Sequence, residues 1–167
     1  FVFAPETIGA IAYISRNLEQ LKRNVLAGYV ITCIGDDRSY TYLESRSSTT
    51  LSDRIAKRGM TQLDPEYERF TFMSRGSDER QYCAPGVDLP IGSIMRSKYG
   101  TFPEYHTSLD DFNVVTSTGL AGGFEAVKRC IEELESEAIY IPTSVGEPHL
   151  SAYDLYPTSS YKGSVNQ

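Results

Sequence analysis

The 167 residues carry 16 Lys and Arg against 22 Asp and Glu, a formal net charge of −6, with 40% hydrophobic and 23% charged residues. That is the make-up of a soluble globular protein of one domain with an appendage, long enough to bury an ordinary core. It excludes nucleic acid as the main partner, because phosphate binding needs a clustered cationic face and the basic residues here lie in scattered short pairs such as Lys22-Arg23. The longest apolar runs fall far short of a membrane span, and no charged-then-apolar leader precedes them.

In chain order, residues 1–4 read as an apolar β-type run, so the expectation is a buried strand and a chain that is a fragment of a longer protein. Pro5 and Glu6 suit a first helical turn; residues 7–16 continue with Ile8, Ile11, Ala12 and Ile14 at helical spacing, and 18–26 suggest a second short helix. Residues 28–34 are a near-continuous apolar run ending at Gly35-Asp36-Asp37, the pattern of a buried central strand. Residues 39–43 alternate as a partner strand. A helix is predicted over 51–60, with Thr50 as N-cap and Asp53 in its first turn. Residues 67–73 form another strand, and 89–95 follow as a strand in an edge or entry position because of Pro90.

A helix over 118–135 carries Leu120, Phe124, Val127, Ile131 and Leu134 as one apolar stripe, expected to pack on the core. Strands alternating with helices predict a three-layer α/β/α sandwich with a mixed, mostly parallel sheet, incomplete at the N-terminus. After Glu137 the chain turns rich in Pro, Gly, Ser and Tyr, which divides it into residues 1–137 and a tail, 138–167, read as a linker and the start of a second module. Cys33, Cys83 and Cys130 lie far apart, with no CxxC spacing, and fit free thiols in a reducing cytoplasm.

Three patches carry chemistry. Glu6 stands at the end of a predicted strand, where ligands bind in open α/β sheets, though a helix-start Glu has the same signature. Ser74-Arg-Gly-Ser-Asp-Glu-Arg80 again follows a strand, as a solvated loop also could. His106, one of two histidines, sits in Glu104-Tyr-His-Thr-Ser-Leu-Asp110. Imidazole is the commonest side-chain metal ligand, and a neighbouring carboxylate is what holds its second nitrogen; a plain surface histidine reads the same way.

Pro5-Glu-Thr-Ile-Gly9, Gly76-Ser-Asp-Glu-Arg-Gln-Tyr-Cys-Ala-Pro-Gly86, Leu89-Pro-Ile-Gly92 and Phe102-Pro-Glu-Tyr-His-Thr107 occur in an order that resembles the later part of the zinc exopeptidase superfamily. That superfamily contains the bacterial leucyl-type aminopeptidases and the glutaminyl cyclases. The blocks are more similar still to a bacterial aminopeptidase-like domain family of largely unassigned function, over about residues 1 to 137. Residues 146–157 resemble the start of that family's small C-terminal helical module.

The resemblance implies a phosphorylase/hydrolase-like fold and a zinc-dependent hydrolase acting on a peptide or amide bond, without nucleic-acid or membrane partners. His106 would be the last metal ligand, with Tyr105 beside it contacting substrate and Asp78 shaping the site. Glu6 would match one member of a Glu-Glu pair, as general base with Thr7 in the ligand's place, or as ligand with Pro5 in the base's place. Arg80 and Arg96 would steady substrate or oxyanion, and Glu104 and Asp110 would support the site from behind.

Thr32 falls where the superfamily has an acidic ligand, and its histidine and bridging aspartate would lie upstream of Phe1. The expectation is one zinc in the intact protein and weak or no zinc binding by this chain alone. A non-catalytic binding domain on the same fold and an amide-modifying enzyme akin to the cyclases are the alternatives.

Overall fold

The Thr50 side chain accepts a hydrogen bond from the Asp53 amide, and the Asp53 carboxylate accepts one from the Thr50 amide; this reciprocal box starts helix α2 (Leu51–Leu63) where the sequence places it. The computed structural model describes residues 1–138, 141, 145–146 and 149–155. Its elements in order are α1 (Ile8–Asn24), β1 (Gly28–Ile31), β2 (Thr41–Leu43), α2, β3 (Glu68–Phe70), a 3₁₀ turn (Phe72–Ser74), α3 (Glu79–Tyr82), β4 (Ile91–Met95) and α4 (Ser117–Glu135). A further 3₁₀ turn covers Leu150–Tyr153. Two compact units are formed, Phe1–Glu137 and Ala138–Gln167. Residues 156–167, where part of the second module was expected, lie outside the described residues.

The four strands make a mixed, mostly parallel open sheet in the order β1-β4-β2-β3. β1 pairs with β4 and β2 with β3 in parallel; β2 and β4 run antiparallel, with Tyr42 opposite Ile94 and Leu43 opposite Ser93. Because side chains alternate, these registers sort the residues onto two faces. Tyr42 and Ile94 point to one side, where α2 and α4 bring Ile55, Ala56, Met60, Ala126 and Cys130. Leu43 and Met95 point to the other, packing with Tyr99, Phe70 and Phe72. Along that side Leu21 and Val25 from the end of α1 pack with Cys83, Leu89 and Ile91. Helices thus cover both faces, as the alternating pattern predicts.

Four expectations are corrected. Residues 1–4 form no strand; Phe1 and Phe3 are fully exposed and the chain enters α1 through a turn. The two helices expected over 7–26 are one, since no Gly or Pro interrupts residues 10–24. The buried central strand is β4 and not β1, which lies at the sheet edge. Pro90 precedes the first ladder residue and its carbonyl accepts from the Ser52 hydroxyl, so its missing N–H costs the sheet nothing; this is the entry position.

The fourth correction concerns α4. Leu120 is 47% and Phe124 67% exposed, and Ile131 is exposed too, whereas Gly119, Gly123, Ala126 and Cys130 are buried. Val127 and Leu134 of the expected stripe do pack on the core, but toward the start of the helix small residues are buried instead, because its backbone lies directly on residues 34–36. A Cβ on Gly119 would sit 1.9 Å from the Gly35 carbonyl oxygen, and one on Gly123 would sit 2.5 Å from that of Ile34. Gly119→Ala should therefore destabilise the protein by about 1–3 kcal/mol although alanine is the better helix former, as read from the urea midpoint. A midpoint unchanged or raised would contradict this close approach.

Candidate functional site

The site is organised from within by Glu79, fully buried at the start of α3. One carboxylate oxygen accepts from the Gly76 amide at 2.7 Å, the Ser77 amide at 3.0 Å and the Tyr99 hydroxyl at 2.7 Å. The other accepts from the Ser93 hydroxyl at 2.8 Å, on the central strand. A buried carboxylate persists when its lone pairs are filled in this way. Burial, and then its bond to Glu79, push the Tyr99 phenol well above its ordinary range, so it stays a donor.

With Gly76 and Ser77 fixed, the loop holds the beginning of the chain. The Ser77 hydroxyl donates to Glu6 Oε1 at 2.7 Å, and the Thr7 amide donates to Asp78 Oδ1 at 2.7 Å. Two contacts 71 residues apart in sequence thus place the Glu6 and Asp78 carboxylates side by side. Partial burial raises the Asp78 pKa, its bond from Thr7 opposes this, and the charges of Glu6 and Glu79 raise it further.

The facing wall comes from the loops after β1 and β4. Asp36, buried, accepts from the Ser97 amide and hydroxyl at 2.9 and 2.7 Å and from the Arg38 amide at 3.0 Å, tying the two loops together. Arg38 clasps Glu104 with two hydrogen bonds of 2.9 and 2.8 Å, which hold the Glu104 carboxyl below its usual range. Tyr105 packs with Cys33 against the core beneath; burial, then the Cys33 and Glu6 charges, raise its phenol pKa. Thr7, Cys33 and His106 all have positive φ, at 63°, 47° and 57°. Non-glycine residues held there carry backbone strain, and its recurrence in three segments of one site fits a functional constraint.

Glu6, Asp78 and Tyr105 are brought into one neighbourhood. His106 is exposed, its ring stacked on Tyr105 at 3.9 Å between centroids. Asp110 is exposed in the same loop, and its charge reaches the Cys33 thiol. Arg80 is exposed on α3. Arg96 is buried, its guanidinium 4.0 Å over the Tyr40 ring and donating to the Ser39 and Gly119 carbonyls, where it fastens α4 to the sheet.

Zinc, implied by the resemblance, needs three protein ligands. Among the described residues no three His, Cys, Asp or Glu side chains form a group able to hold a metal. The Thr32 hydroxyl, where an acidic ligand was expected, donates to Cys33 Sγ at 3.8 Å. The described residues alone thus present no three-ligand group for zinc.

Sequence reasoning missed Glu79 and Lys98. Lys98 is buried with its ammonium 4.1 Å from the Tyr99 ring centre and 5.5 Å from that of Phe70, and burial lowers its pKa. The available signal was Ser93, a polar residue facing inward on an otherwise apolar strand, which implies a buried partner. No helix among the described residues is long and apolar enough to cross a membrane.

A Clostridium acetobutylicum protein named "Putative polysaccharide biosynthesis protein with aminopeptidase-like domain" is 38% identical over 157 residues, which cover 93% of this chain and 36% of that protein. The crystal structure of a protein described as a "putative peptidase" from Clostridium acetobutylicum has a TM-score of 0.78 at 38% identity, covering 90% of this chain and 35% of the other. The chain spans about a third of the length of these relatives, and its fold is a peptidase-like α/β fold. With residues 1–137 matched, the chain belongs to the family described as Domain of unknown function (DUF4910).

Proposed function

We propose that this chain is the part of an aminopeptidase-like hydrolase that supplies Glu6, Asp78 and Tyr105 to cleavage of a peptide or small amide substrate. The observation that carries the reading is the double interlock Ser77–Glu6 and Thr7–Asp78, which sets two carboxylates together, with the Glu6 charge reaching the Tyr105 phenol. The names of the two relatives support it. Glu6 Oε1 is occupied by Ser77, so Oε2 is the oxygen positioned to accept a proton from an attacking water. Tyr105, kept protonated by its surroundings, offers a donor to the developing oxyanion. Zinc belongs to this proposal as a cofactor of the intact protein, held by His106 and by ligands from outside this chain, with Glu6 as base; if Glu6 were instead a ligand, it would not also serve as the base. A cytoplasmic setting is proposed with it, on the three free cysteines.

Glu6→Gln in the intact protein should lower kcat on aminoacyl amides about 100-fold or more while the fold and the Ser77 contact persist. His106→Ala should lower turnover and bound metal together. Thr32 in place of an acidic residue favours a second reading, a binding domain on the same fold. Unchanged turnover in Glu6→Gln, with no metal bound to the intact protein, would establish that reading and remove the first.

A further inference from the structure

Beside α3 lies a groove of about 630 Å³, within the range of small-ligand sites. Its walls include three guanidinium groups, Arg46, Arg75 and Arg80, with Phe72, Met73 and Gln81 between them, and no carboxylate lines it. In a chain of net charge −6 this is a local reversal of sign. Arg46 is held in place by an ion pair with Asp88. Arg75 lies 4.8 Å from the Phe72 ring centre and donates to the Phe72 carbonyl at 3.3 Å, which sets its plane. Neither Arg75 nor Arg80 is among the ion pairs of the described residues. The nearby acidic groups face elsewhere: Glu79 is turned inward on four donors, and Asp78 accepts from Thr7. The Asp78 charge does feel Arg80, which offsets part of that cation.

We propose that this groove binds an oxyanion, carboxylate or phosphate, carried on a short apolar stem. Two guanidiniums without carboxylate partners present donors in a planar fork that matches such oxygens. Phe72 and the exposed Met73 give the stem an apolar wall. Arg80 stands two residues after Asp78, in α3, while Glu6 and Asp78 are not among the groove's lining residues. Binding of the anion is independent of whether Glu6 is catalytic, because it needs no turnover.

Three probes test this by calorimetry on the whole protein: N-acetylglutamate amide, its neutral counterpart N-acetylglutamine amide, and a simple phosphomonoester. The acidic peptide analogue, the phosphomonoester or both should bind, and the glutamine analogue should bind at least about tenfold more weakly. Tighter binding of the first marks a peptide carboxylate as the natural source, and tighter binding of the phosphomonoester marks a phosphate. Arg75→Ala and Arg80→Ala, both on exposed side chains, should each weaken the anion about tenfold, and Arg80→Lys should restore part of it. Equal affinity for the charged and neutral analogues, or anion binding untouched by both variants in protein with an unchanged melting curve, would overturn the proposal.

Discussion

Asp53→Ala is expected to lower the stability of the folded protein by about 3–5 kcal/mol. The Asp53 carboxylate is fully buried and accepts from the Tyr42 hydroxyl, the Ser45 amide and hydroxyl, and the Thr50 amide and hydroxyl, at 2.6 to 2.9 Å. Alanine removes the acceptor and leaves those donors buried without partners, at the junction of α2 with β2. Burial alone would raise the Asp53 pKa; the bonds from Ser45, Thr50 and Tyr42 outweigh it and hold the group below its ordinary value. A carboxyl depressed in the folded state contributes stability above its unfolded pKa, near 4, and loses it as pH falls through the folded value. Wild-type stability should therefore decline on the acid side below about pH 4 more steeply than that of Asp53→Ala. Urea titrations across pH measure both; parallel acid limbs would contradict the network.

Glu79→Ala should have an effect of similar size, about 3–5 kcal/mol, because the Gly76 and Ser77 amides and the Ser93 and Tyr99 hydroxyls lose one common acceptor. Glu79→Gln is the informative companion. The amide can keep its oxygen toward Gly76, Ser77 and Tyr99 and turn its NH2 to the Ser93 oxygen, so the fold should survive with a smaller loss of about 1–2 kcal/mol. Ser77 would then sit less firmly, and through it Glu6. In the intact protein Glu79→Gln should reduce turnover while leaving the melting temperature within several degrees of wild type. A variant with full stability loss and unchanged turnover would separate Glu79 from the site.

Much of this architecture was legible in the chain. Thr50 with Asp53 three residues on marked the start of α2, and a period near 3.6 located α4. The blocks around Glu6, Gly76 to Arg80 and Glu104 to His106 marked three segments that the fold gathers at one place. What stayed hidden depends on partners distant in sequence. Pro90 fitted an edge or an entry position, and only the ladder beginning at Ile91 shows it to be the entry of what is the central strand. Size misled for part of α4: Leu120, Phe124 and Ile131 looked like core, but the approach of residues 34–36 buries Gly119 and Gly123 in their place, while Val127 and Leu134 do pack on the core. Glu79, inside the run Ser77-Asp-Glu-Arg80, has the signature of a solvated charge cluster. Its burial follows from Ser93 and Tyr99, which the sequence does not show to be neighbours.

The sheet order has a consequence for how the molecule is made. β4 is the last of the described strands, yet it is the one that touches both β1 and β2. Among the described residues β1 pairs only with β4, and β2 pairs with β3 and β4, so within this stretch β1 waits for residues 91–95. Within residues 1–137 the β1–β4 and β2–β4 pairings close over long sequence separations, so this part of the sheet joins late, by long-range contacts rather than by stepwise addition of neighbours. A truncation ending before residue 91 would leave β1 and one side of β2 without their partner strand, an unpaired edge of the kind that promotes association between chains.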